Sequence, residues 1–132
     1  MLDLKNVPKE LLSAIDEKGY VKLTSVQSLV LDRSNSGKDL LVSSQTGSGK
    51  TLAYGLSISC DGLEEIIDED NKLKTLIVTP TRELALQVFN ELAWLFSKTA
   101  ITISTAIGGM DIKKERNNIR NGVDLLIGTP GR

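Results

Sequence analysis

The stretch "SSQTGSGKT" at residues 43–51 follows a short apolar run, "DLLV", and precedes residues with helical apolar spacing. Gly47 and Gly49 adopt positive φ at little cost, so the amides of this loop can turn inward as an anion-binding nest. A helix beginning near Lys50 would add the partial positive charge of its N-terminus. Strand, glycine loop and helix together favour a phosphate-binding site over a plain glycine-rich turn.

The loop fits the phosphate-binding pattern G-x-x-x-x-G-K-[ST], except that Ser44 occupies the first glycine position. Lys50 can bring a positive charge to the β- and γ-phosphates, and the Thr51 hydroxyl can ligate Mg²⁺. We expect these two residues to serve catalysis. Such a loop occurs in kinases, GTPases, transporters and motor enzymes, so it does not by itself identify the reaction.

Composition limits the remaining classes of protein. The chain has 132 residues, 40% of them apolar, a net charge of −1, one cysteine and no histidine. One domain with a globular core is therefore expected, without an internal disulfide and without a structural zinc site. No apolar run approaches ~20 residues and the N-terminus lacks a signal peptide, so we expect a cytoplasmic protein without a membrane partner.

Strand-like and helix-like stretches alternate along the chain, which favours a parallel α/β sheet with flanking helices. The predicted strands are "DLLVS", "KTLIVT", "AITISTAI" and "VDLLIGT". The predicted helices are "PKELLSAIDEK", "SVQSLVLDR", "KTLAYGLSI", "RELALQVFNELAWLFSK" and "KKERNNIRN". A polar string follows each strand: "SSQTGSGKT", "PTRELALQ", "IGGM" and "TPGR". Because ligands bind at the carboxyl ends of parallel strands, we expect the four strings to line one edge.

These strings, preceded by "GYVKLTSVQ", stand in an order that resembles the N-terminal RecA-like domain of DEAD-box ATP-dependent RNA helicases. The resemblance runs from about Leu2 to Arg132 and implies a RecA-like P-loop sheet. It implies one partial helicase domain over residues 1–132, with a Q-motif region at 1–28 and a P-loop core at 38–132. ATP and Mg²⁺ are the implied cofactors, and RNA is the implied partner.

The resemblance also implies which residues bind the nucleotide. Gln27 resembles the glutamine that reads adenine, and an amide can donate and accept at adenine's N6 and N7 edge. Without its neighbours, Gln27 would be interpreted as a surface helix residue. Leu23 and Ser25 stand where prolines are usual, and Leu2 stands where an aromatic residue usually packs on adenine. The expected ATP-binding residues are Tyr20, Gln27, Ser44, Gln45, Thr46, Gly47, Ser48, Gly49, Lys50 and Thr51.

The other strings imply contacts to the RNA backbone, with little preference for base sequence. The expected RNA-binding residues are Pro80, Thr81, Arg82, Glu83, Gly108, Gly109, Thr129, Pro130, Gly131 and Arg132. Each string also has a plainer interpretation. Thr81 can simply cap a helix, the glycine pair can be a turn, and Arg132 can be a solvated side chain.

Three other features have plain interpretations that we prefer. The acidic run "CDGLEEIIDEDN" at residues 60–71 favours a solvated loop over a magnesium-binding strand end at Asp68 and Glu69. Trp94 and Phe96 have helical spacing, which favours core packing over base stacking. The basic face formed by Lys113, Lys114, Arg116 and Arg120 is typical of a solvated helix, with auxiliary RNA contact as the alternative.

The chain reaches Arg132 without the Asp-Glu-Ala-Asp string and without the second RecA-like domain that supplies arginine fingers in the family. We therefore expect a piece truncated before the strand of motif II, from a parent that hydrolyses ATP to remodel RNA. The piece alone is expected to bind ATP, ADP and RNA without turnover. The alternatives are a stand-alone nucleotide- and RNA-binding module and an unrelated P-loop NTPase or kinase.

Overall fold

The computed structural model describes residues 7–32, 35–60, 73–109 and 111–132. From the third helix onward, helices and strands alternate as the sequence pattern predicts, with ends that differ from the prediction by a few residues, whereas the first three elements are all helices. The helices are α1 (Lys9–Glu17), α2 (Ser25–Val30), α3 (Lys50–Cys60), α4 (Arg82–Leu95) and α5 (Ile112–Arg120). The strands are β1 (Thr75–Val78), β2 (Ile103–Ala106) and β3 (Leu125–Gly128).

The strands form a parallel three-stranded sheet in the order β1-β3-β2. Val78 at the end of β1 and Ala106 at the end of β2 both lie opposite Gly128 at the end of β3. At the other end, the Asp124 carboxylate accepts hydrogen bonds from the Thr102 N–H and hydroxyl, both at 2.8 Å. The three strands therefore end level with one another, and the segments that follow them emerge from one edge.

The predicted strand "DLLVS" is not formed, which corrects the sequence-based assignment. Residues 39–43 carry no strand assignment, and the Leu41 side chain is fully exposed. A strand exists only where a neighbour pairs with its N–H and C=O groups, and no described strand lies beside this segment. The phosphate loop is therefore held to the rest of the chain by α3 and by side-chain contacts.

Helix α4 carries most of the packing, because it contacts α1 and α3 as well as β2 and β3. The largest fully buried side chains include Leu92 and Leu95 of α4, Leu56 of α3, and Leu125 and Ile127 of β3. Phe96, directly after α4, is also buried, so its predicted role in the core is confirmed. None of the described helices is long and apolar enough to cross a membrane.

Side chains fix where the helices begin. Thr24 and Gln27 form a reciprocal capping box at the start of α2, which satisfies two helix-end N–H groups. Thr81 caps α4 by accepting from the Leu84 N–H at 3.2 Å, and the Asp111 carboxylate caps α5 through the Lys113 N–H at 2.9 Å. These caps place the first turns of α4 and α5 directly after the strands.

Candidate functional site

The glycine loop has the backbone that a phosphate nest requires. Gly47 has φ of 80° and Gly49 has φ of 83°, and α3 begins at the next residue, Lys50. Residues with side chains rarely adopt this left-handed conformation, so glycine is needed at both positions. The loop therefore combines turned amides with a helix N-terminus, and both attract anions.

Lys50 and two serines close the loop on itself. The Lys50 ammonium donates to the Ser44 carbonyl at 2.7 Å and to the Gln45 carbonyl at 2.8 Å. The Ser44 and Ser48 hydroxyls lie 2.7 Å apart and share a hydrogen bond across the loop. The lysine charge therefore lies inside the loop, where an approaching phosphate would compete with the two carbonyls for it.

Gln27 connects α2 to this loop and is not the surface residue that its sequence position alone would suggest. Its side chain is 1% exposed. Its amide nitrogen donates to the Gly49 carbonyl at 3.2 Å, and its amide oxygen accepts from the Thr24 N–H at 2.9 Å. A side chain at position 49 would clash with this amide, since a Cβ there would lie 2.3 Å from the Gln27 nitrogen. Gly49 is therefore required for the contact as well as for its φ.

A cavity of about 500 Å³ separates α3 from β1 and reaches from the phosphate loop to the segment after β1. Lys50 and Thr51 line it at the loop end, and Pro80 and Leu84 line it at the strand end. Half-exposed apolar side chains of β1, among them Leu76 and Val78, form its wall. The cavity therefore joins the two segments that the sequence assigns to ATP and to RNA.

The segments after the three strands are tied together at the carboxyl edge. The Thr79 N–H donates to the Gly128 carbonyl at 2.9 Å, and the Thr129 N–H donates to the Ala106 carbonyl at 3.1 Å. The Thr79 hydroxyl also donates to the Thr81 carbonyl at 3.1 Å. The prediction that the polar strings line one edge is thus confirmed for "PTRELALQ", "TPGR" and the first three residues of "IGGM". The fourth string, the phosphate loop, follows no described strand.

Arg82 lies across the glycine pair. A Cβ added at Gly109 would lie 2.5 Å from the Arg82 Nη1, and one added at Gly108 would lie 3.2 Å from its Nη2. Gly109 also has φ of 80°. The absence of side chains at the glycine pair is what allows the Arg82 guanidinium to approach the backbone of the loop after β2.

Glu115 is a site residue that sequence reasoning missed. It is buried on α5, where its Oε1 accepts from the Ile107 N–H at 3.1 Å. Its Oε2 lies 2.9 Å from the Arg132 Nε, an ion pair whose angles fall outside those of a hydrogen bond. The sequence offered no signal for it, because Ile112 and Ile119, which lie three residues before and four residues after Glu115, are themselves exposed.

Tyr20, which the resemblance assigns to the ATP site, contacts a helix of the core and not the phosphate loop. The Tyr20 ring stacks on Trp94 at 6.1 Å between centroids, with the Lys18 ammonium 5.3 Å from the Trp94 ring centre. This contact holds the end of α1 against α4.

Among the residues predicted to bind RNA, those exposed at the carboxyl edge include Glu83, Pro130 and Gly131. Leu2 and the acidic pair Asp68 and Glu69 lie outside the described residues.

The described residues offer a metal ion few side-chain ligands. Within them, no three side chains from His, Cys, Asp and Glu come together as a metal site. The Thr51 hydroxyl, half-buried at the start of α3, is the oxygen that fits Mg²⁺ held mainly by nucleotide phosphates and water. This fits the pattern of a P-loop, in which the protein supplies few of the magnesium ligands.

Residues 24–132 match the family described as DEAD/DEAH box helicase. The chain belongs to this family. It is 40% identical to the ATP-dependent RNA helicase RhlB of Pasteurella multocida over 93% of this chain and 29% of that protein. It is 34% identical to the DEAD-box ATP-dependent RNA helicase CshA of Streptococcus pneumoniae (strain TIGR4) over 96% of this chain and 24% of that protein.

Solved structures agree with the family assignment. The DEAD-box helicase Mss116 bound to ssRNA and UDP-BeF superposes with a TM-score of 0.84 at 29% identity, covering 96% of this chain and 27% of that one. The fold is therefore a partial RecA-like sheet, as expected. The chain spans between 16% and 29% of the length of curated relatives that it matches. The match disfavours the alternative of an unrelated P-loop kinase.

Proposed function

We propose that this chain is the nucleotide- and RNA-binding first part of an ATP-dependent RNA helicase. The observation that most supports this is the edge where β1, β2 and β3 end level. Three strings of the family emerge there, and an open cavity leads from them to the phosphate loop. Sites are held most precisely by rigid elements, and here the sheet carries the three strings while α3 carries the phosphate loop.

At the nucleotide site, the amides of the glycine loop and the Lys50 ammonium would bind the phosphates of ATP or ADP. Lys50 lies within reach of the loop's own carbonyls, so phosphate oxygens that enter the loop meet it without a large movement. Thr51 would contribute its hydroxyl to Mg²⁺, which supplies positive charge to the phosphates when bound. Gln27, whose amide contacts the loop at Gly49, would form hydrogen bonds with the edge of adenine.

At the RNA site, the proposed contacts are to phosphates and not to bases. Arg82 offers a guanidinium beside the glycine pair, where backbone can approach closely. Thr81 is the N-cap of α4, so the N-terminus of this helix adds partial positive charge to the same region. Thr129 and Arg132 extend this surface across β3. Backbone contacts of this kind give affinity that depends on salt and little on sequence.

Hydrolysis is assigned to the whole helicase and not to this chain alone. The residues that directly follow the strands are Thr79, Ile107 and Thr129, and none is a carboxylic acid. Phosphoryl transfer needs an acid to help hold the metal, a group to orient water, and arginines to meet developing charge. In the parent these would come from later motifs and from the second RecA-like domain, as the family resemblance implies.

Calorimetric titration of ATP with Mg²⁺ into the chain and into Lys50→Ala tests the nucleotide site. Loss of a charge-assisted contact of ~1.5–3 kcal/mol should weaken ATP roughly 10- to 150-fold. Lys9→Ala, which removes an exposed lysine of α1, is the matched control and should bind ATP like the parent chain. Equal ATP affinity in Lys50→Ala and the parent would contradict the proposed site.

A second assay distinguishes a binding piece from an autonomous enzyme. With Mg²⁺, ATP and RNA, the chain should release phosphate no faster than Lys50→Ala does. RNA-stimulated release that disappears in Lys50→Ala would show that the chain contains a catalytic acid. Asp68 and Glu69 would then be the first residues to substitute.

A further inference from the structure

Glu115 is buried on a helix whose other residues are all exposed. Its side chain is 8% exposed, and that of its partner Arg132 is 20% exposed. A carboxylate loses its hydration when it is buried, and only close partners offset that loss. Its carboxylate is polar and accepts from the main-chain N–H of Ile107, so apolar packing does not explain its burial.

The two oxygens of Glu115 face segments that follow two different strands. Oε1 accepts from the N–H of Ile107, the residue before the glycine pair, at 3.1 Å. Oε2 lies 2.9 Å from the Nε of Arg132, the last residue of "TPGR". One carboxylate therefore connects the loop after β2 with the loop after β3.

Alignment of the strands does not require this ion pair. Asp124 joins β2 and β3 at their opposite end through the Thr102 N–H and hydroxyl, without a cation. At the carboxyl end, the Thr129 N–H already donates to the Ala106 carbonyl. The Glu115–Arg132 ion pair is thus additional to the hydrogen bonds that align the strands.

We propose that Glu115 is a positioning residue that holds Arg132 and the glycine pair in one arrangement for RNA phosphates. This deepens the proposed function and rests on it. A long arginine side chain loses rotamer freedom when it binds a phosphate, and a side chain already held loses less. The ion pair through Nε fixes the orientation of the planar guanidinium that a phosphate would meet.

The glycine pair is held from both sides in this arrangement. Arg82 lies against Gly108 and Gly109, and Glu115 holds the preceding Ile107 N–H. The same carboxylate also pairs with Arg132, which lies in the segment after the neighbouring strand, β3. The two arginines and the loop between them therefore form one surface whose geometry depends on a buried acid.

A double-mutant cycle measures this dependence. The four chains are the parent, Glu115→Gln, Arg132→Gln and the double variant, and the readout is anisotropy of a short fluorescein-labelled polyuridine. Glu115→Gln keeps an oxygen for the Ile107 N–H and removes the charge that faces Arg132. Arg132→Gln should weaken RNA binding roughly tenfold in the parent. It should weaken binding by less than about threefold in the chain that carries Glu115→Gln.

A merely structural Glu115 would leave the two effects independent. The same weakening by Arg132→Gln in both backgrounds would therefore overturn the positioning role while leaving the RNA site intact. Failure of the parent chain to bind RNA at all would overturn both the RNA site and this inference.

A second measurement leaves Glu115 in place and so remains decisive if Glu115→Gln fails to fold. In ¹⁵N-labelled protein, Arg132→Gln should shift the amide signals of Ile107 and Gly108, because the carboxylate that holds them loses its cation. A signal for Ile107 that is unmoved by Arg132→Gln would overturn the link between the two loops.

Discussion

The side-chain amide of Gln27 donates to the main-chain carbonyl of Gly49 at 3.2 Å and so fastens α2 to the phosphate loop. Each group of the amide has a further hydrogen-bonding position, because an amide carries two N–H donors and its oxygen carries two lone pairs. Because the side chain is 1% exposed, the same amide would meet the edge of adenine only when the loop opens. Loop geometry and base selection would then depend on one residue.

Gln27→Glu should weaken ATP binding and reduce the preference for ATP over GTP. The carboxylate keeps the shape and the acceptor for the Thr24 N–H, but it loses the donor to Gly49 and repels that carbonyl. Loss of the hydrogen bond to this partly buried carbonyl costs ~1 kcal/mol. Calorimetry with both nucleotides measures the change, and Gln87→Glu on the exposed face of α4 is the isosteric control. An unaltered ATP:GTP ratio would contradict adenine reading by Gln27.

Ser44→Ala should tighten ATP binding. The Ser44 and Ser48 hydroxyls share a hydrogen bond across the loop that phosphates must enter. Removing a bond worth ~0.5–1.5 kcal/mol makes it easier for the loop to open around the phosphates, so affinity should rise roughly 2- to 10-fold. Titration of ATP into Ser44→Ala and into the neighbouring control Ser43→Ala measures this. Weaker binding in Ser44→Ala would show that the hydroxyl pair supports the bound loop.

Gly55→Ala should destabilise the fold although alanine favours helices. A Cβ at position 55 would lie 2.3 Å from Leu95 Cδ2 and 2.9 Å from Leu92 Cδ2, where α3 meets α4. Overpacking of ~1–3 kcal/mol exceeds the helix preference of ~1 kcal/mol. The Tm should fall by several degrees, whereas Gly131→Ala, whose Cβ would meet nothing within 4 Å, should leave it unchanged. An unchanged or raised Tm in Gly55→Ala would show that α3 and α4 accommodate the added methyl group at little cost, which would contradict this prediction.

The isolated chain should self-associate and melt with low cooperativity. Leu41 is fully exposed, and Leu76 and Val78 of β1 are more than half exposed, which leaves apolar surface beside an edge of β1 that no described strand pairs with. Leu41→Lys should lower light scattering without lowering the Tm, while Leu11→Lys, at a fully buried position, should unfold the chain. A monomer with a sharp cooperative melt would count against this expectation.

The parts of the fold that local pattern determines were predictable from the sequence. Helical spacing and capping residues located α4, and three apolar runs between helices located the strands. Predicting "DLLVS" as a strand was wrong because strand formation depends on a partner, and apolar composition does not reveal whether one is present. Periodicity describes one segment at a time, whereas pairing is a property of two.

The placement of candidate site residues could be predicted where the family strings define it, and it was missed where it depends on tertiary contact; the binding roles of these residues stay predictions. Lys50, Gly49 and Arg82 belong to such strings, and their placement agrees with the expected edge and loop. Glu115 lies in a polar helix whose composition is typical of a solvated face, and only the folded chain brings it to Ile107 and Arg132. A buried acid among exposed charges cannot be distinguished from its neighbours by residue type.

RNA affinity as a function of salt tests the central claim most directly, namely that RNA phosphates bind at the carboxyl edge beside the glycine pair. Anisotropy of labelled polyuridine should be compared between the parent, Arg82→Gln and the charge-matched control Lys9→Gln. Removal of one phosphate contact should lower the magnitude of the log–log salt slope by about 0.7 and weaken binding roughly tenfold. The account predicts this change for Arg82→Gln and none for Lys9→Gln. Equal slopes and affinities in Arg82→Gln and the parent would contradict it.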